Sequence, residues 1–291
     1  MSPYPVHRPP HGVPSRTPPR PTPVLACALR CVLRCALGLA AAVPLAAQTP
    51  ATSPTSSTPP AVTASAAPTP AAPPQRTPEE DRLHNDWANL QRYREANAAL
   101  PPARPGENRV VFLGNSITDG WARYFPTQFP GKPYIGRGIG GQTTPQMLVR
   151  FRQDVIALHP AVVVILAGTN DIAGNTGPST LAMIEDNLAS MAELARANGI
   201  RVVLSSVLPV YDYPWRPGLQ PAPKIVALNA WMRDYAAAHG DVYLDYHTAM
   251  ADARQGMRAG LASDGVHPTE AGYQVMAPLA EAAIAEALRG R

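Results

Sequence analysis

The chain is 291 residues long, 45% hydrophobic and 16% charged, which allows one large domain or two small ones and is too polar for a polytopic membrane protein. Its 35 prolines and its net charge of +4 are unevenly spread: residues 1–78 hold 19 of the prolines and six of the 25 bases, but no acid. From residue 79 onward the other 19 bases meet all 21 acids, a net of −2, so the basic character belongs to the N-terminal segment and leaves no footprint for nucleic acid.

Residues 1–23 are proline-rich and have no apolar run, so they cannot pack a core. The chain turns apolar at Val24, is interrupted by Arg30 and Arg34, and runs uninterrupted over residues 35–47. Those 13 residues are too short to span a bilayer and suit the apolar part of a secretory signal. Basic residues precede the run and Ala46-Ala47 ends it, so a cut after Ala47 is expected, with an uncleaved anchor as the alternative. The translation start stays open, at Met1 or near Val24. Cys27, Cys31 and Cys35 all lie in this leader, which leaves the exported chain without disulfides, thiol nucleophiles or thiolate metal sites. Export to the periplasm or the medium follows, with no stable membrane insertion once the leader is removed. Residues 48–78, rich in Pro, Ala, Thr and Ser, read as a tether. Residues 79–291 read as the folded domain.

Within that domain a helix is expected over 81–100, followed by buried strands over 110–113, 134–139, 162–167, 202–207 and 242–244. The strands are continuous apolar runs, as in a parallel sheet covered on both faces. Thr144-Pro145 marks a helix start, and His159-Pro160 its end. Leu181, Ile184, Leu188, Met191 and Ala195 form an apolar helical stripe that Gly199 stops. A last helix covers 269–288. Alternating strands and helices predict an α/β three-layer α/β/α sandwich with a central five-stranded parallel sheet, whose functional groups collect beyond the carboxyl ends of the strands.

Four blocks stand at such places. Gly114-Asn115-Ser116-Ile117-Thr118 follows the first strand, and a serine there caps the helix as readily as it attacks a substrate. Gly138-Ile139-Gly140-Gly141 follows the second, either as a tight turn or as a set of backbone donors. Asn170, in Gly168-Thr169-Asn170-Asp171 after the third strand, can cap a turn or donate into the same space. Asp264 precedes His267 by three residues, so its carboxylate can reach the ring Nδ1 and turn Nε2 toward a nucleophile. Each block alone is better explained structurally. Together they supply a nucleophile, a base with an orienting carboxylate, and oxyanion donors.

These blocks resemble those of the SGNH hydrolases, the GDSL esterase/lipase family, over roughly residues 109–288. The resemblance implies a flavodoxin-like SGNH fold and a cofactor-free Ser-His-Asp esterase. Ser116 is then the nucleophile, His267 the base and Asp264 its partner. The oxyanion donors are the Ser116 and Gly141 amides and the Asn170 side chain. Asn115 stands where the family name has Asp, at a position that is not the nucleophile.

Trp121, Tyr211, Tyr213 and Trp215 are expected to line the substrate cleft. The last three belong to a loop over 208–223 that should hang over the active edge. Flat aromatic faces and the lack of an aliphatic insertion favour short acyl esters, chiefly O-acetyl groups on carbohydrates. His84, His159, His239 and His247 read as surface or structural, and Asp119 and Asp171 as loop braces, so no metal is expected. A lysophospholipase or broad-specificity lipase, and a non-catalytic carbohydrate-binding domain of the same fold, stay open as alternatives, with a nucleotide binder behind them.

Overall fold

The computed structural model describes residues 76–290. The expected leader and all but the end of the tether lie outside the described residues. In chain order the elements are α1 (Pro78–Asn85), α2 (Arg94–Ala98), β1 (Val110–Gly114), α3 (Ser116–Ala122), α4 (Phe125–Gln128), β2 (Tyr134–Gly138) and α5 (Thr144–Asp154). After these come β3 (Val162–Leu166), α6 (Thr169–Ile172), α7 (Leu181–Ala197), β4 (Arg201–Ser205), α8 (Ala222–His239), β5 (Val242–Leu244), α9 (Tyr246–Met250) and α10 (Glu270–Arg289).

The five strands pair in parallel in the order β2-β1-β3-β4-β5. Successive side chains divide between two faces, as strand pleating requires. Val111, Leu113, Val163, Ile165, Val202 and Leu204 pack with residues of α5, α7 and α8. Val110, Phe112, Val162, Val164 and Val203 pack with residues of α3, α4, α9 and α10. Each such side chain, fully buried, contributes about 1.5–3 kcal/mol. The result is the expected three-layer sandwich.

Register decides where the chemistry can sit. Gly114 of β1 lies opposite Gly138 of β2 and Leu166 of β3. Three adjacent strands, β2, β1 and β3, therefore end level with one another, and the segments that follow them emerge side by side.

Three local expectations change. The helix expected over 81–100 is broken into α1 and α2. The Asp86 carboxylate accepts the backbone N–H groups of Leu90 (2.8 Å) and Gln91 (3.0 Å), and Asn89 takes φ +54°. A side chain that competes for backbone donors in this way favours a turn over a helix. Thr143, not Thr144, caps α5, with its N–H donating to Gln146 Oε1 at 3.1 Å. β4 ends at Ser205, and beyond the Ser206 N–H, which still donates to the Leu244 carbonyl at 2.9 Å, the Asn229 side chain takes over both polar groups of Val207. Its Oδ1 accepts the Val207 N–H (2.8 Å), and its Nδ2 donates to the Val207 carbonyl (3.0 Å).

Candidate active site

Ser116 is the first residue of α3, directly beyond β1. The capping role falls to its neighbour: Asn115 Oδ1 accepts the Ile117 N–H at 3.0 Å. The serine hydroxyl is thereby left for another partner, and it meets His267 Nε2 at 2.9 Å. His267 Nδ1 in turn faces Asp264 Oδ2 at 2.7 Å. Serine, imidazole and carboxylate thus form one hydrogen-bonded chain across 151 positions of sequence.

The Asp264–His267 turn organises itself. Asp264 Oδ1 accepts the backbone N–H groups of Val266 (3.0 Å) and His267 (2.8 Å), while Gly265 takes φ +83°. The Ser263 N–H closes the turn on the His267 carbonyl at 3.0 Å. Burial works against the charged carboxylate of Asp264, but the His267 and Val266 N–H groups and the imidazole outweigh it. The carboxyl is held below its ordinary value. An acid kept ionised beside Nδ1 fixes the imidazole tautomer that presents a lone pair to the serine.

Gly140 and Gly141 are exposed at the same edge, and a Cβ on Gly140 would lie 3.9 Å from Ser116 Cβ. Gly141 takes φ +73°, a conformation that glycine adopts without steric cost. Gly138 has no room for a side chain, because α3 crosses it at the Asn115 carbonyl and the Asp119 amide. Asn170 is buried and reaches into this loop, with Nδ2 donating to the Gln142 carbonyl at 2.9 Å. A primary amide carries two N–H groups, so one remains for a ligand.

Several supports were not anticipated from the sequence. Arg150, fully buried in α5, donates to Gln142 Oε1 (2.6 Å), to the Gly114 carbonyl at the end of β1 (2.9 Å) and to Asp154 (3.0 Å). Gln142, Gln146 and Gln153 donate to the carbonyls of Ala88, Trp87 and Leu90, strapping the turn between α1 and α2 onto α5 and the loop before it. Asn175 bridges the Gly141 carbonyl (3.2 Å) to the Trp215 indole N–H (3.2 Å). Its place five residues after Asn170 is the one signal that could have marked it. Asp171 braces loops as expected: its carboxylate accepts the Thr144 N–H (2.9 Å) and hydroxyl (2.6 Å). Burial still raises its carboxyl above the ordinary value against those bonds. Asp119 meets Arg92 at 3.6 Å. His247 is buried, which lowers its pKa, and it has no contact to the serine chain.

The four aromatics divide. Trp121 is 1% exposed, stacked on Tyr273 and packed edge-on against Phe112, so it belongs to the core and not to a cleft. Tyr213 is fully buried with its hydroxyl on Thr169, and burial pushes that hydroxyl up to about 12. Trp215 is 39% exposed, its ring 6.1 Å from that of His267, and it lines a recess of about 220 Å³ beside Gly141. Tyr211, under the Arg254 guanidinium at 3.8 Å, lines a second recess of about 240 Å³ beside Gly265. A larger recess of about 570 Å³ lies at the amino ends of β4 and β5, away from the serine. Among the described residues no group of three or more His, Cys, Asp or Glu could hold a metal, and no helix is long and apolar enough to cross a membrane.

The sequence model of the GDSL-like lipase/acylhydrolase family matches residues 112–275. A GDSL-like lipase of known structure from Bacteroides thetaiotaomicron is 48% identical, with a TM-score of 0.67, and the match covers 69% of this chain and 100% of that one. Esterase TesA of Pseudomonas aeruginosa is 26% identical over 56% of this chain and 77% of its own. An acetylxylan esterase of Xylanibacter ruminicola is 25% identical over 64% of this chain and 45% of its own.

Proposed function

This chain belongs to the GDSL-like lipase/acylhydrolase family and is a carboxylic ester hydrolase, and from that premise we propose that it is an exported serine esterase removing short acyl groups, chiefly acetyl, from carbohydrates. The observation that carries the reading is the chain from Ser116 Oγ through His267 to Asp264.

In this reading Ser116 Oγ attacks the ester carbonyl while His267 Nε2 takes its proton. Asp264 keeps the imidazole oriented and stabilises it once charged. The carbonyl oxygen gains charge against the Ser116 and Gly141 amides and the free N–H of Asn170. His267 returns the proton to the leaving alcohol, and an acyl-enzyme remains. Water, deprotonated by His267, releases the acid.

The preference for acetyl esters of sugars rests on two features. Trp215 offers a flat face beside His267, and the recess it lines, about 220 Å³, suits a small group better than a long acyl chain. The acetylxylan esterase relative acts in the same sense. Export rests on the apolar run over 35–47, and residues 48–78 would tether the hydrolase domain.

A chain-length series of nitrophenyl esters, run beside acetate release from acetylated xylan and acetylated monosaccharides, tests the substrate. The rate should peak at two carbons, with acetate released from at least one sugar. A peak at eight carbons or more, with no acetate from any sugar, makes a lipase the better reading.

A further inference from the structure

The recess beside Gly141 has an uneven charge. Arg82 of α1 and Arg216 of the loop after β4 both line it, and Glu79 is the single acid among its described lining residues. Glu79 lies 3.8 Å from Arg82, as a loose pair on the surface of α1. The Arg216 guanidinium donates to the Gly174 carbonyl at 3.4 Å and meets no described carboxylate. At least one guanidinium is therefore uncompensated. The next recess along the same wall shares Arg216 and adds Lys224, with the buried Asp171, already bonded to Thr144, as its one acid.

Three features make this recess a subsite of the ester-cleaving centre. Gly140 and Gly141 form part of its wall, and a Cβ on Gly140 would lie 3.9 Å from Ser116 Cβ. Trp215 is its flat face, locked by Asn175 to the Gly141 carbonyl and standing beside His267. Its volume of about 220 Å³ is below the ~300–1,000 Å³ typical of pockets for drug-sized ligands, and suits about one sugar ring.

We propose that Arg82 and Arg216 bind an anionic group, a carboxylate or a sulfate, on the sugar that carries the ester, with Trp215 as the stacking face for its ring. The inference rests on the esterase reading above and narrows its substrate to acetylated acidic saccharides. A guanidinium presents a planar fork of donors that matches a carboxylate or sulfate, and it keeps its charge at any working pH. The neutral acetyl esters of xylan would lack this contact.

The test compares kcat/KM on acetylated methyl glucuronoside, acetylated methyl glucoside 6-sulfate and acetylated methyl glucoside. In parallel, NMR titration follows the binding of the three unacetylated glycosides. The preference for an acidic over the neutral substrate should be about five-fold or more at low salt and should shrink at 0.5 M NaCl, because the groups are partly exposed. Arg82→Gln with Arg216→Gln should bring the ratio near one. Glu79→Gln should raise it, because that change removes the acid competing for Arg82. A ratio near one in the unaltered protein, with equal binding of all three glycosides, overturns the anionic subsite and leaves the esterase standing. If no substrate releases acetate, the esterase reading fails, and tighter binding of the acidic glycosides, lost in the double variant, still decides the subsite. A preference for the carboxylate or for the sulfate identifies which anion the recess takes.

Discussion

The two halves of the site are held in different ways. Ser116, Gly141 and Asn170 stand on three strand ends in register, and the bonds that steady them cross long stretches of sequence. Arg150 links the end of β1 to Gln142, and Asp171 links the asparagine block to the start of α5. Asp264 and His267, by contrast, belong to an exposed turn whose bonds nearly all fall within four residues. Ser116, Gly141 and Asn170 are positioned by the fold. His267 and Asp264 are positioned by their own short segment, docked against the serine.

The comparison breaks first at Asn170. If its free N–H meets the developing oxyanion, Asn170→Ala lowers kcat about 100- to 1,000-fold and leaves KM nearly unchanged, since the bond strengthens only as charge develops. Steady-state kinetics on nitrophenyl acetate read this directly. A change confined to KM moves Asn170 from the oxyanion to substrate binding.

Arg150 sharpens the contrast through stability. Arg150→Ala leaves the Asp154 carboxylate buried without its cation, which should cost about 3–5 kcal/mol in urea unfolding. Truncating a surface residue of the 264–267 turn should cost far less. A loss below about 1 kcal/mol for Arg150→Ala would mean that the sheet-edge half is not braced through this pair.

The smallest effect lies in the pH dependence of the turn. Asp264 has a folded pKa depressed below the ordinary value of 3.8. Its bonds therefore add stability at any pH above that unfolded value, and the gain disappears as pH falls through the lower folded value. The difference in denaturant midpoint between this protein and Asp264→Asn should be flat above about pH 5 and shrink below about pH 4. The side chains are about a third exposed, so the change is small. An identical acid slope in both proteins removes Asp264 as its source.

The same contrast decides what could be read from the residues alone. Each block follows a buried strand or a tight turn, so local pattern is enough to single out Ser116, Gly141, Asn170, Asp264 and His267 as candidates, and the structure joins Ser116, His267 and Asp264 in one hydrogen-bonded chain. The five strands were legible for the same reason, as apolar runs set off by helical stripes. What escaped depends on distance in sequence. Arg150 and Asp154 look like an ordinary surface pair at helical spacing, and only the fold buries them. Arg82 lies in a segment that reads as a plain helix, and its approach to Gly141 depends on the break that Asp86 makes after α1. Closeness in sequence to the active edge points Trp121 and Tyr213 to the cleft. Yet Trp121 falls on the core face of α3, and Tyr213 is drawn inward by Thr169.

The most direct test of the central claim is covalent. A fluorophosphonate probe followed by peptide mass spectrometry should give a single adduct on Ser116, none in Ser116→Ala, and a markedly slower reaction in His267→Ala, which lacks the base 2.9 Å from the hydroxyl. An adduct on a different residue, or Ser116→Ala protein that still hydrolyses nitrophenyl acetate at the original rate, would contradict it.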